Sequence, residues 1–180
     1  KLLKENSFYF SNMISVSPYT LTAHHSIITG LYPSQHGVDA YHSMFKFKKY
    51  EVTTLPELLK NANYFTRCDC ASKTLMPDKG FDQFQLFEEY SVDYKIRWNK
   101  ILTEISKKGK FFLFLQYSKL HSYLVKEVME KYDPQSNDDE YFDNLEINRI
   151  RNNSHLDEMD DVVKSLFTSL EKLSLSKKTI

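Results

Sequence analysis

Thr20 and His24 are the residues whose types and spacing first point to chemistry. They stand within residues 15–38, whose pattern predicts a short helix that begins at Thr20 or Thr22. Residues at positions i and i+4 share one face of a helix, and the helix N-terminus favours an anion. Hydroxyl, imidazole and backbone N–H groups could therefore converge on one tetrahedral oxyanion. The alternative is structural: one of the threonines is an N-cap, and the adjacent histidines are surface residues.

Two further side chains are predicted at the same edge of a sheet. His121 follows the apolar run FFLFLQY, and Lys73 follows the predicted strand YFTRCDCAS. Ligands of α/β proteins collect at the carboxyl ends of parallel strands. We therefore weigh His121 as a catalytic contact against a plain loop histidine, and Lys73 as a substrate-binding residue against a solvated lysine. The remaining histidines are interpreted as structural (His36) or as surface residues (His42, His155).

A shared edge also predicts a shared ligand for His121 and His24. Their ring nitrogens would then lie on the order of 8 Å apart, the span of one tetrahedral anion and two hydrogen bonds.

The segments around these residues alternate between the hydrophobic periodicity of strands and that of helices. A strand is predicted around Phe8, Phe10, Met13 and Ile14, followed by the helix that ends at Thr29 before Gly30. Thr54 can cap the next helix, LPELLKNA, with Pro56 in its first turn and Asn63 in a left-handed conformation after it. The strand YFTRCDCAS follows. The order indicates an α/β fold with a mostly parallel sheet flanked by helices.

The second half of the chain continues the pattern. KGFDQFQLFEEY is aromatic but turn-like, and residues 92–106 carry a helical stripe that includes Ile96 and Ile101. The run FFLFLQY is typical of a strand buried on both faces. A last amphipathic helix is predicted to begin at a capping box formed by Ser154 and Asp157. The polar segment 132–141 is predicted to be a mobile loop.

Composition excludes several function classes. The chain has 180 residues, and its 24 Lys and Arg balance 24 Asp and Glu. Nucleic-acid or anionic-membrane binding usually needs a basic excess, although a local patch could still exist. No apolar run is long enough for a membrane span, and the first residues lack a signal-peptide pattern. Cys68 and Cys70 are interpreted as buried thiols, and the acidic run NDDEYFD as a solvent-facing segment.

The segment TLTAHHSIITGLYPSQHGV resembles the signature of the sulfatase family in the alkaline-phosphatase superfamily. In that signature a nucleophile and a basic residue four positions on precede the motif T-G-x-Y-P-x-x-H-G-V. Thr20 matches the nucleophile, and His24 matches the basic position, where many members have Arg. LPELLKNANYFT, KGFDQF, KFFLFLQYSKLHSY and the closing helix are also similar to family segments. The resemblance implies an alkaline-phosphatase-like α/β fold.

The resemblance implies hydrolysis of a small anionic sulfate or phosphate ester. A divalent cation (Ca, Mg, Mn or Zn) would polarise the ester, and Thr20 would be both the nucleophile and a metal ligand. Sulfatases proper oxidise Cys or Ser at this position to an aldehyde, which Thr cannot become. The resemblance thus favours a phosphate or phosphonate ester, or phosphoryl transfer.

The other metal ligands of the family lie on strands that would precede Lys1 and follow Thr179 and Ile180. We therefore expect residues 1–180 to be an internal part of one catalytic domain, inactive and metal-free by itself. Two alternatives stay open: an inactive family member that binds an anionic ligand, and an α/β structural or interaction domain. The substrate, compartment and oligomeric state are not indicated by the sequence.

Overall fold

The computed structural model describes residue 8, residues 10–123 and residues 145–179. These residues belong to two compact units. One unit contains residues 8–87 and 103–116, and the other contains residues 88–102, 117–123 and 145–179. We call them the sheet unit and the helical unit. Predictions for residues 1–7, the mobile loop 132–141 and the acidic run lie outside the described residues.

A three-stranded parallel sheet is the centre of the sheet unit. Its strands are β1 (Phe65–Cys70), β2 (Gln83–Leu86) and β3 (Phe111–Leu115), in the order β2-β1-β3. The central strand places Arg67 beside Gln83 on one side and Leu113 on the other. The predicted α/β fold with a parallel sheet flanked by helices is confirmed.

Helix α1 (Thr20–Thr29) packs on one face of this sheet. Ile28 of α1 shares a core with the fully buried Cys68, Cys70 and Met76, bordered by three phenylalanine rings (Phe81, Phe84 and Phe114). Both cysteines are free, as the sequence predicted. The helix ends at Gly30, whose φ of 68° is the left-handed conformation expected there. A short helix α2 (Pro33–His36) follows.

Helix α3 (Leu55–Asn61) leads into β1. Thr54 is its N-cap, and its hydroxyl accepts a hydrogen bond from the Glu57 backbone while the Glu57 carboxylate accepts one from the Thr54 N–H. Asn63 has a φ of 64°, which confirms the predicted left-handed residue. The chain then enters β1 two residues later.

Gly80 lies against the start of α3. It has a φ of +90°, and a Cβ there would lie 2.6 Å from the Glu57 backbone nitrogen. The Thr54 hydroxyl also donates to the Lys79 carbonyl, so the turn before β2 is tied to the cap of α3. A side chain at position 80 would push these two segments apart.

The two longest helices in the described part of the chain are α4 (Tyr94–Ile105) and α5 (Leu145–Lys172). The predicted helix at 92–106 is confirmed, but its buried stripe contains Tyr94 and Trp98, whereas Ile96 is 71% exposed. The predicted capping box at Ser154 is wrong, because α5 is already helical from Leu145 onward. A Ser-x-x-Asp pattern is also compatible with a helix interior when the preceding residues continue the helix.

Three other expectations differ from the structure. Residues 10–19 contain no strand, and Phe8, Phe10, Met13 and Ile14 are all more than two-thirds exposed. A strand, β2, occurs where a turn was predicted. β3 is half-buried rather than buried on both faces, because it is an outer strand of the sheet that the described residues form.

Candidate active site

Thr20 is the first residue of α1. Tyr19 precedes it in extended conformation as the N-cap, without a side-chain capping bond, so neither Thr20 nor Thr22 is the cap. The first hydrogen bond of the helix runs from the Ala23 N–H to the Tyr19 carbonyl at 2.9 Å. The preceding N–H groups have no acceptor within the helix, and no acidic side chain occupies the first turn. The positive end of the dipole is thus uncompensated.

The hydroxyl of Thr20 is available for chemistry. The side chain is half-buried, and no residue in the described part of the chain forms a hydrogen bond with it. Thr22, two residues on, has a fully buried hydroxyl that also lacks a partner there. The two threonines differ in access to solvent, and Thr20 is the one that a ligand could reach.

His24 lies one helical turn beyond Thr20, on the same face. Its Nδ1 is 3.1 Å from the carbonyl oxygen of Leu75, and its ring meets Phe114 edge-on with 5.4 Å between centroids. A carbonyl oxygen only accepts hydrogen bonds, so Nδ1 carries the proton and donates. Nε2 therefore has the lone pair, and it forms no hydrogen bond within the described residues.

Burial lowers the pKa of His24 from its ordinary value, and this effect exceeds the opposite effect of the Leu75 hydrogen bond. The imidazole is consequently neutral near pH 7. A neutral ring with its lone pair on Nε2 accepts a proton rather than neutralising an anion. His24 thus has the tautomer and the neutral state that a general base at this end of α1 needs.

The neighbouring histidines form a separate buried network. His25 donates from Nδ1 to the Leu21 carbonyl at 2.7 Å, and its ring lies 5.7 Å from that of His36. The Val38 N–H donates to His36 Nδ1, so His36 Nε2 carries the proton and donates to the Ser26 hydroxyl. Desolvation lowers the pKa of His36 to about 4. His36 is structural, as predicted.

Lys73 lies in the turn that follows β1, at the carboxyl end of the sheet, and is exposed. The same turn contains Leu75, the residue that orients His24. The end of β1 and the helix α1 therefore meet, as the predicted arrangement requires. A contact between Lys73 and a substrate stays a prediction.

His121 is exposed in a helical segment, residues 119–123, that follows β3. This segment is held in the helical unit by an ion pair between Lys119 and Glu158, and by a 2.5 Å hydrogen bond from Ser122 to Glu89. Thr20 and His24 belong to the sheet unit. The distance between His121 and His24 stays a prediction.

Leu75 and Phe114 are the functional neighbours that sequence reasoning missed. Both are apolar, and the Leu75 contribution comes from its backbone carbonyl, which any residue at that position carries. His24 and Leu75 are 51 residues apart, so no local pattern relates them. Only the pairing of α1 with the end of β1 brings them together.

A metal ion needs several donor groups that converge on one point. Within the described part of the chain, no group of three His, Cys, Asp or Glu side chains is placed to hold a metal. Thr20 provides one hydroxyl oxygen at the helix N-terminus. These residues alone therefore do not form a metal-binding site.

No helix in the described ranges is both long and apolar enough to span a membrane.

Comparison with known proteins identifies the family. The family model named Sulfatase matches residues 1–180, the whole chain. No curated protein matches the chain. The match covers the full length, and the parallel sheet flanked by helices is consistent with it, so the chain belongs to the sulfatase family.

Proposed function

We propose that this chain is the nucleophile-bearing part of a hydrolase that cleaves small anionic esters, with Thr20 as the nucleophile. Membership in the sulfatase family supports a sulfatase-type hydrolase. The main observation in support of the proposal is the arrangement of Thr20 and His24 in α1. An unpaired hydroxyl stands at a helix N-terminus, one turn from a neutral imidazole whose ring is held by the Leu75 carbonyl.

In the proposed step, Thr20 Oγ1 attacks the phosphorus or sulfur atom of the ester. A bond from Oγ1 to that atom forms and the bond to the ester oxygen breaks. That oxygen leaves as an alkoxide with the electron pair of the bond and takes a proton from solvent water to become the alcohol. His24 Nε2 takes the hydroxyl proton. The free N–H groups of the first turn of α1 stabilise the charge on the non-bridging oxygens. Water then hydrolyses the Thr20 ester and regenerates the hydroxyl.

Lys73 and His121 complete the proposal as contacts for the anion and the leaving oxygen. Lys73 is supported by its place in the turn that also orients His24. His121 is supported by its place after the carboxyl end of β3. We favour phosphate or phosphonate esters over sulfate esters, because a threonine cannot be oxidised to the aldehyde that sulfatases proper use.

A divalent cation is part of the chemistry that we propose for the complete enzyme, where it would polarise the ester and lower the pKa of the hydroxyl. The described residues offer it one oxygen, that of Thr20, and do not fit a complete site. We therefore propose that residues 1–180 are one part of a larger catalytic domain. The 180-residue chain by itself is expected to be inactive.

Replacement of Thr20 in the complete polypeptide tests the proposal. Thr20→Ala should abolish hydrolysis of p-nitrophenyl phosphate and p-nitrophenyl sulfate, whereas Thr20→Ser should retain activity because a hydroxyl remains. Thr22→Val is the matched control, because it removes a nearby hydroxyl that has no hydrogen-bond partner among the described residues. Full activity of the Thr20→Ala variant would exclude Thr20 as nucleophile. A wild-type protein that binds phosphate or sulfate without turnover would support an inactive, anion-binding member.

A further inference from the structure

The segment between α2 and α3 combines positive charge with aromatic side chains. Residues 40–50, AYHSMFKFKKY, contain three lysines and five aromatic or methionine side chains but no carboxylate. We call this segment the aromatic–lysine loop. In a chain whose formal net charge is zero, it is a local concentration of positive charge.

The aromatic–lysine loop has a defined backbone. Its residues 41–43 form a 3₁₀ turn, and the Lys46 N–H donates to the Ser43 carbonyl at 2.9 Å. The Lys48 N–H donates to the carbonyl of His36 at 3.1 Å, which fixes the loop to the end of α2. Phe47 packs edge-on against His25 at 4.8 Å between ring centroids. The loop is thus attached to the rest of the sheet unit by a backbone hydrogen bond and a ring contact.

Two aromatic rings of the loop point away from these contacts. Phe45 is 92% exposed and Tyr50 is 91% exposed, although Phe47 between them is packed inward. Burial of a phenylalanine side chain is worth about 1.5–3 kcal/mol, a gain that Phe45 does not obtain within this chain. The defined backbone means that these rings are presented to solvent rather than left in an irregular tail.

Lysines alternate with the exposed rings. Lys46, Lys48 and Lys49 are exposed, and none forms an ion pair with a described residue. Lys49 lies over the ring of Tyr50 at 4.9 Å. Asp39, just before the loop, has its pKa lowered by a hydrogen bond from Ser43 and, to a smaller extent, by the charges of His42 and Lys46. The loop therefore combines exposed aromatic rings with lysines that form no ion pair among the described residues.

We propose that the aromatic–lysine loop docks on the surface of an anionic lipid bilayer. Aromatic side chains favour the boundary between headgroups and acyl chains, and lysines are attracted by anionic headgroups. Tyr41 of the loop contacts Tyr19, the N-cap of α1, with 5.5 Å between ring centroids. A docked loop therefore holds the N-terminus of α1 close to the lipid surface. The docking itself does not depend on the proposed reaction.

The exposed phenylalanine favours a bilayer over an anionic polysaccharide or nucleic acid. All three carry negative charge and would attract the lysines. An unpaired base of a nucleic acid can stack on one ring, but only the bilayer offers a continuous apolar layer that a protruding Phe45 side chain can enter. Binding to a bilayer should consequently depend on Phe45 as well as on the lysines, whereas binding to an anionic polysaccharide should depend on charge alone.

Fluorescence of a new tryptophan tests the docking at the loop. In Phe45→Trp, vesicles containing phosphatidylglycerol should shift the emission to shorter wavelength, and vesicles of phosphatidylcholine alone should not. Tyr90→Trp is the matched control, because Tyr90 is 76% exposed and lies outside the loop. The single natural tryptophan, Trp98, is buried and supplies a constant background.

Co-sedimentation with the same vesicles measures the contributions of the two kinds of side chain. K46Q/K48Q/K49Q should weaken binding on the order of a hundredfold. Each lysine near an anionic surface contributes about 1 kcal/mol, which is roughly fivefold in affinity. Phe45→Ser should weaken it by about tenfold. K107Q/K108Q/K110Q, with the same change of charge at another exposed site, should retain most of the binding. Thr20→Ala should bind as the wild type does, which separates docking from substrate binding.

No binding to anionic vesicles, or binding that Phe45→Ser leaves unchanged, would overturn the proposal. Retention on immobilised heparin without any vesicle binding would also overturn it and would identify a polysaccharide partner instead.

Discussion

The Nδ1 atom of His24 lies 3.1 Å from the carbonyl oxygen of Leu75, a residue 51 positions further along the chain. This hydrogen bond joins the first turn and a half of α1 to the turn that follows β1. It determines which imidazole nitrogen carries the proton, and leaves Nε2 as the acceptor. The tautomer of the proposed base is therefore determined by the tertiary fold and not by its neighbours in sequence.

Replacement of His24 should reduce turnover and change its pH dependence. In the wild type, kcat/KM should fall on the acid side with a pKa below 6.5, because burial lowers the pKa of His24. His24→Gln should lower kcat by about 10²–10⁴-fold and remove that acid limb. The measurement is the pH profile of p-nitrophenyl ester hydrolysis by the complete enzyme, and His42→Gln, at an exposed position, is the control. An unchanged acid limb in His24→Gln would exclude His24 as the base.

The cap of α3 should contribute measurably to stability. Thr54 is fully buried and forms reciprocal bonds with Glu57. Thr54→Ala should reduce the free energy of unfolding by about 1–2 kcal/mol, because the cap and a buried bond to the Lys79 carbonyl are lost. Urea denaturation of the chain measures this change. Thr53→Ala, at an exposed neighbouring position, should leave the midpoint nearly unchanged, and equal losses in both variants would contradict the capping role.

The buried histidine network should make stability depend on pH. The pKa of His36 is about 4 in the folded chain and 6.5 in its ordinary state, so between these values the unfolded chain binds more protons. Stability therefore falls as the pH drops from about 6.5 to about 4. The greatest loss from His36 alone is about 3 kcal/mol, because each unit of pKa shift corresponds to about 1.4 kcal/mol.

Comparison of two variants isolates this contribution. The free energy of unfolding of His36→Gln should depend less on pH between 6.5 and 4 than that of the wild type, although its value at pH 7 is lower because the bonds to Ser26 and Val38 change. His42→Gln, at an exposed position, should retain the wild-type slope. A His36→Gln slope equal to the wild-type slope would show that other groups cause the pH dependence.

Elements bounded by strong local signals could be predicted from the sequence. The helix α1 ends where Gly30 takes a left-handed conformation, and the cap at Thr54 and the turn at Asn63 lie where the sequence placed them. In each case the conformation is fixed by the chemistry of one or two adjacent residues. The start of α1 lacks such a signal, because its N-cap Tyr19 makes no side-chain capping bond, and the sequence therefore leaves both Thr20 and Thr22 as possible first residues.

Features that depend on tertiary pairing could not be predicted. The strand β2, with the sequence QFQL, alternates polar and apolar residues over only four positions and is mostly exposed; its conformation is fixed by pairing with β1. The spacing of the apolar residues from Phe8 to Ile14 is typical of a strand, but residues 10–19 do not pair with any strand of the described sheet. The contact between the Leu75 carbonyl and His24 could not be predicted either, because every residue has a backbone carbonyl and the sequence does not indicate which one is used.

The central claim is that Thr20 Oγ1 forms the bond to the transferred group, and trapping that intermediate tests it most directly. The complete enzyme would be mixed with p-nitrophenyl phosphate, quenched in acid within the first turnover, digested and analysed by mass spectrometry. The proposal predicts one phosphoryl group on Thr20. Where hydrolysis of the Thr20 ester is slower than its formation, a burst of about one equivalent of p-nitrophenolate should also be seen. The Thr20→Ala enzyme should show neither the phosphoryl group nor the burst. A phosphoryl group on another residue, or turnover retained by the Thr20→Ala enzyme, would contradict it.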